Sequence, residues 1–180
     1  MADKIATPIG ILSFPALFEA RSAVPGGEPR FSLNIVFDAA AQKTPEYKAL
    51  AAAIETEAKT FFQGKLPASW RNPLRDAGEK EYEGYGKGKT YLSAWSKTKP
   101  GIVGPSREEI DMSEQVFAGQ KVRATVRPFG YNNTGNKGVA LMLQNVQIAK
   151  FDMPRLDGRS SAKDEFSDLS EETETEDAPF

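Results

Sequence analysis

The sequence predicts a mainly β body with one prominent helix, followed by an acidic tail that does not fold. Three observations predict it. Apolar and polar residues alternate at period two in several separate segments, whereas a single stretch shows three- and four-residue apolar spacing. The charge is also segregated. The 180-residue chain is net −2, yet residues 1–162 are net +5 and residues 163–180, with eight acids and one base, are net −7. A near-neutral total hides a basic body and an acidic appendage, a split that points to nucleic acid or to charge-driven partners.

Taken in order, residues 9–18 form an apolar run broken by Pro15, as expected of a first strand near an edge or bulge. Residues 22–29, with Pro25-Gly26-Gly27-Glu28-Pro29, read as a turn. Residues 31–37 alternate cleanly, which puts Phe31, Leu33, Ile35 and Phe37 on one face of a strand. The helix follows. Thr44 is its N-cap, Pro45 takes the first helical position, and Gly64 stands beyond its end. Tyr47, Leu50, Ala51, Ile54, Ala58, Phe61 and Phe62 make its apolar face, while Lys48, Glu55 and Lys59 look outward. Residues 67–88 are irregular and rich in glycine and mixed charge. Three more strands are predicted over 91–99, 121–129 and 138–148, the last two joined by a hairpin loop over 131–137. The body thus spans 1–155. The tail, 156–180, has too little apolar content to order itself.

Composition narrows the chemistry. With no cysteine the chain forms no disulfide or thiolate metal site, and with no histidine it lacks the commonest general base near neutral pH. The start of the chain does not read as a signal sequence, and no run approaches the ~18 apolar residues of a membrane span. A cytoplasmic protein without membrane contact is expected.

The strands 91–99 and 121–129 carry the functional signal. In the first, Leu92 and Ala94 suit a core, and Tyr91, Ser93, Trp95, Lys97 and Lys99 share the opposite side. In the second, Val122, Ala124 and Val126 turn inward. Lys121, Arg123, Thr125, Arg127, Phe129 and, if the strand extends, Tyr131 turn outward. Aromatics interleaved with cations suit single-stranded nucleic acid, because cations follow phosphates and flat rings stack on unpaired bases at about 1–3 kcal/mol each. The same pattern also suits an exposed sheet face held by cross-strand pairs of cations and rings. No glutamate stands on either outward face, which a generic solvated face would not favour.

Residues 82–91, rich in Gly, Lys and Tyr, read as a flexible loop whose Lys87 and Lys89 could clamp a backbone, or as a solvated hairpin. Gly88-Lys89-Thr90 is not a phosphate loop, since the required preceding glycine position is Glu83. Two carboxylate clusters, Asp76/Glu79/Glu81/Glu83 and Glu108/Glu109/Asp111/Glu114, leave a metal-dependent nuclease as a minor alternative, although neither has calcium-loop spacing.

Several segments together resemble a family of bacteriophage single-stranded DNA-binding proteins with an oligonucleotide/oligosaccharide-binding (OB) fold. They are residues 11–15, 27–32, 73–76, 96–103, 129–138, 145–147 and 158–162, followed by the acidic tail. The resemblance implies an OB-type β-barrel with an inserted helix and stoichiometric DNA binding without catalysis or cofactor. It also implies a tail that competes with DNA and docks phage or host replication proteins through Glu174, Glu176, Asp177 and Phe180. Trp95 stands where the resemblance suggests a small polar residue, so its stacking role rests on the alternation. The expected DNA contacts are Lys87, Lys89, Lys97, Lys99, Arg123 and Arg127 for phosphates, with Tyr91, Trp95, Phe129 and Tyr131 for bases. A homodimer stays open. The alternative from another class is an interaction module whose basic body docks an acidic protein.

Overall fold

Each segment of period-two alternation forms a strand, and together these strands close on themselves. The computed structural model describes residues 2–156 and 165–170. The elements are β1 (Ile5–Ala6), β2 (Gly10–Arg21), β3 (Arg30–Phe37), α1 (Ala39–Gln42), α2 (Pro45–Phe61), β4 (Arg75–Asp76), β5 (Thr90–Ser96), β6 (Gly101–Val103), a 3-10 turn (Ser113–Gln115), β7 (Lys121–Asn133) and β8 (Asn136–Lys150).

Pairing runs β7-β2-β3-β5-β8, and β8 pairs β7 again to close the ring. Numbered in chain order, the five long strands run first, second, third, fifth, fourth and back to first, the Greek-key closure of an OB barrel. Short pieces complete the weak seams. β1 continues the line of β2 along β7, and β6 continues the line of β5 along β8, parallel to it. Where β5 and β8 diverge, residues 71–76 fill the gap: β4 pairs β5, and Arg71 bridges Gly138. Gly138 is needed there, because a Cβ would collide with the Arg71 backbone.

The inward residues of the five long strands meet in one core that includes Leu12, Leu33, Ile35, Phe37, Leu92, Ala94, Val122, Val126, Leu141, Leu143 and Ile148. Helix α2 lies across β7, β1 and β8 and inserts Leu50, Ile54 and Ala58 into that core. Its start is as read from the sequence, with the Thr44 hydroxyl accepting from the Tyr47 N–H at 3.2 Å and Pro45 opening the first turn. Its end differs in detail. Phe61 is exposed, lying over Gly130, where any Cβ would strike the ring. Glu57 is buried instead and accepts from the Gly130 N–H at 3.3 Å.

Three boundaries differ from the sequence reading. β5 ends at Ser96, so Lys97 and Lys99 follow the strand rather than belong to it. The β7–β8 hairpin is longer and tighter, with pairing up to Asn133 and Asn136 around Thr134 and Gly135. The two-residue β1 and the parallel β6 are too short to leave an alternation signal.

Candidate nucleic-acid interface

The pleat of β3 and β5 builds the outer face of the barrel. Turning Leu33, Ile35, Leu92 and Ala94 inward leaves Arg30, Ser32, Asn34, Ser93 and Trp95 outside. Register then sets neighbours. Ser32 pairs with Trp95 and Asn34 with Ser93, while Trp95 lies beside Met142, which is opposite Arg127. One row of side chains therefore crosses four strands. At its centre the Arg30 guanidinium lies 3.9 Å over the Trp95 ring. Phe129 meets the same indole edge-on, with centroids 5.9 Å apart.

This row borders an open groove of about 820 Å³, floored by Ser32, Asn34, Ser93 and Trp95. The β2–β3 loop forms one wall through Ser22, Val24, Gly27 and Glu28, and Phe14 and Tyr82 form another. Phe14 and Tyr82 are 56% and 52% exposed, and their rings touch edge to face at 4.9 Å. Phe14 adopts a φ of 44° at the bulge where the β2–β3 register shifts between Ser13 and Ala16. A bulky residue in the left-handed region costs about 1–3 kcal/mol, and such strain gathers at functional sites. The floor is fixed by a relay. The Ser93 hydroxyl donates to Asn34 Oδ1 at 2.6 Å, Asn34 Nδ2 donates to the Tyr85 hydroxyl at 3.0 Å, and Tyr85 donates to Ser13 Oγ at 3.0 Å.

The structure sorts the residues singled out in the sequence. Trp95, Phe129 and Arg127 come together around the central row. Tyr131 continues the Phe129 face two residues on, opposite Gly138 and half-buried. Arg123 shares that face but lies at its far end, donating to Gln147 Oε1 at 2.8 Å beside the segment after β6. Lys97 Nζ pairs with Glu28 at 3.3 Å, and Lys99 Nζ stands 5.1 Å over the Phe18 ring.

Tyr91 corrects the sequence reading. It points outward as its parity requires, yet it is only 5% exposed, because residues 77–89 fold over that half of the face. There Tyr85 and Ala77 pack on Tyr91 and Val36 in a second apolar cluster outside the barrel. The loop is accordingly docked rather than loose, with Ala77 N–H donating to Lys89 O and Gln42 Nε2 to Gly88 O. Within it Lys89 Nζ donates to the Gly84 carbonyl at 3.0 Å and so serves the loop, while Lys87 remains exposed away from the groove lining. Glu174, Glu176, Asp177 and Phe180 lie outside the described residues. In the described piece of the tail, hydrogen bonds from the Ser170 hydroxyl and N–H hold the Asp168 carboxyl below its ordinary pKa.

The sequence reading missed Arg21, Arg30, Phe14, Tyr82 and Glu28. Arg30 was within reach, since the alternation that buries Leu33 and Ile35 also exposes Arg30, Ser32 and Asn34. Phe14 and Tyr82 were not, because a bulge and a long-range loop place them. Neither carboxylate cluster converges: among the described residues no three acidic groups come close enough to hold a metal ion. Asp76 and Glu108 instead accept local backbone N–H groups from Gly78 and Ser106.

Residues 4–178 match the family described as the Enterobacter phage Enc34 ssDNA-binding protein, a match that runs into the acidic tail. The chain belongs to that family. A sequence comparison with curated proteins finds no match. Among solved structures, the single-stranded DNA-binding protein of bacteriophage Enc34 in complex with ssDNA is 24% identical, with a TM-score of 0.70 over 84% of this chain and 88% of that one. The single-stranded DNA-binding protein gp2.5 of bacteriophage T7 is 12% identical, with a TM-score of 0.66 over 88% of this chain and 97% of that one. At these identities the likeness shows a shared fold.

Proposed function

We propose that this member of the Enc34 family coats single-stranded DNA during phage replication or recombination in the host cytoplasm, binding in the groove walled by the β2–β3 loop on one side and by Phe14 and Tyr82 on the other. The observation that carries the reading is the Arg30–Trp95–Phe129 assembly beside an open groove. A base can stack there while Arg30, Lys97 and Arg127 lie near its phosphates. The hydroxyls and amide of the floor are largely engaged with one another, which favours binding without regard to sequence. The scattered carboxylates support a stoichiometric binder rather than a nuclease, and family membership favours DNA over an acidic protein as the ligand.

Trp95→Ala tests this. Losing one stacking platform costs about 1–3 kcal/mol, so affinity for oligo(dT) should fall about tenfold or more, whereas Lys48→Ala on the outer face of α2 should leave it unchanged. Equal effects of the two would refute the assigned face. Bound DNA should also quench the tryptophan emission of the wild type and not that of Trp95→Phe, since Trp70 packs against the core.

The acidic tail fits the same groove as a competitor and, once displaced, as a hook for replication proteins. Leu156, the residue from which the tail departs, packs against Gly84 beside Tyr82 and so starts it at the groove edge. Tethering at that range gives effective concentrations of about a millimolar. Removing residues 164–180 should tighten DNA binding most at low salt; an unchanged affinity there would leave the tail as a partner hook alone.

A further inference from the structure

Phe14 and Tyr82, which wall the groove, have a second side. The same two rings, with Pro15 and Arg21, also wall a second recess of about 340 Å³ on the other side of the β2 bulge. Its far wall is Phe117, with the Arg155 guanidinium 4.4 Å from the ring centroid. This repeats the chemistry of the central row, where Arg30 covers Trp95 at 3.9 Å. Two cation-covered rings therefore flank an exposed aromatic ridge, and Arg21 lines both recesses.

The second platform is held in place by the fold. Fully buried Gln120 accepts from the Phe117 N–H at 3.1 Å and donates to the Gln115 carbonyl at 2.8 Å. The Leu156 N–H donates to the Ala118 carbonyl at 3.0 Å, fixing the segment that carries Arg155. A site braced by such secondary contacts presents its ring at a defined angle. One carboxylate, Glu83, also lines the recess and opposes an anionic ligand there.

We propose that single-stranded DNA crosses the Phe14–Tyr82 ridge and continues into this recess, where Phe117 and Arg155 take a further base and phosphate at one end of the track. The inference rests on the DNA-binding reading of the main groove and adds a second subsite to it. Single-stranded DNA is the occupant that fits, because the recess shares Phe14, Pro15, Arg21 and Tyr82 with that groove and offers ring faces as well as cations. An acidic polypeptide would use the cations alone. Arginine planes and aromatic rings both stack on unpaired bases.

Length dependence tests the proposal. Full-length wild type, Arg155→Gln, Phe117→Ala, Glu83→Gln and Trp95→Ala are titrated by fluorescence anisotropy with labelled oligo(dT) of about 4, 8, 12 and 16 nucleotides, the range one OB fold occupies. Arg155→Gln and Phe117→Ala should bind the shortest oligomer like wild type and lose about tenfold on the longest. Glu83→Gln should gain affinity only on the longer oligomers. Trp95→Ala should weaken every length and so reports on the main groove separately. Thermal melting identifies any loss caused by misfolding of Phe117→Ala, and Arg155→Gln then decides. A wild-type length profile in Arg155→Gln overturns the second subsite. So does polyglutamate that competes with oligo(dT) on wild type and fails to do so on Arg155→Gln, which would mark the recess as a polypeptide site.

Discussion

Tyr91 and Trp95 stand four residues apart on the same face of β5, and they live in opposite surroundings. Tyr91 is packed by Tyr85, with ring centroids 5.3 Å apart, and by Val36 and Ala77. Trp95 is half-exposed, covered on one side by Arg30 and touched at its edge by Phe129. The difference is residues 77–89, which fold over the first half of the face and leave the second half open. In the covered half the protein itself removes ring surface from water, so the rings stabilise the fold. In the open half that surface stays wet until a ligand arrives, so the same kind of side chain can contribute to binding. Parity decides which side of the sheet a ring takes. The path of the loop that leads into the strand decides whether it becomes core or platform.

The largest effect expected from this contrast is on stability. Tyr91→Ala removes a buried ring and should cost about 3 kcal/mol of unfolding free energy, read as a lower urea midpoint at unchanged slope. Trp95→Ala should shift the midpoint by less, about 0.5–1 kcal/mol, because its ring is only partly buried. The roles reverse for DNA, where Trp95→Ala carries the main loss. Equal midpoint shifts for the two variants would break the division into a covered and an open half.

The same division marks how much was legible in the sequence. The helix could be read because its signals are local: Thr44 caps, Pro45 starts, and Leu50, Ile54 and Ala58 repeat within a few residues. The inward faces of β3, β5 and β7 could be read for the same reason, and Pro15 pointed to the bulge in β2. The OB closure came from the family resemblance, since the parallel contact of Trp95 with Met142 joins strands far apart in the chain. The burial of Tyr91 and the meeting of Phe14 with Tyr82 depend on how residues 77–89 dock onto β2 and β3, far away in sequence, as the Asn34–Tyr85 and Tyr85–Ser13 hydrogen bonds show with separations of 51 and 72. Alternation carries no information about such coverage. The candidate groove was therefore half legible: the outward placement of Trp95, Arg127 and Phe129 could be read from the alternation, and the wall formed by Phe14 and Tyr82 could not.

The smallest effect concerns Glu28, an anion that lines the open half. Glu28 holds Lys97 at 3.3 Å, and both side chains are more than half exposed, at 54% and 65%. Such a pair contributes about 0–1 kcal/mol, so a phosphate can readily take the place of the carboxylate. Once DNA is bound, Glu28 remains beside the groove and repels it. Glu28→Gln should therefore tighten oligo(dT) binding about threefold at low salt, and the gain should fade as salt screens the repulsion. Lys97→Gln should act in the opposite direction and lower the slope of log affinity against log salt by about 0.7, the value for one single-strand phosphate contact. If Glu28→Gln weakens binding instead, the carboxylate is holding Lys97 in the position that DNA needs. The β2–β3 loop would then belong to the prebuilt site and not to its closed state.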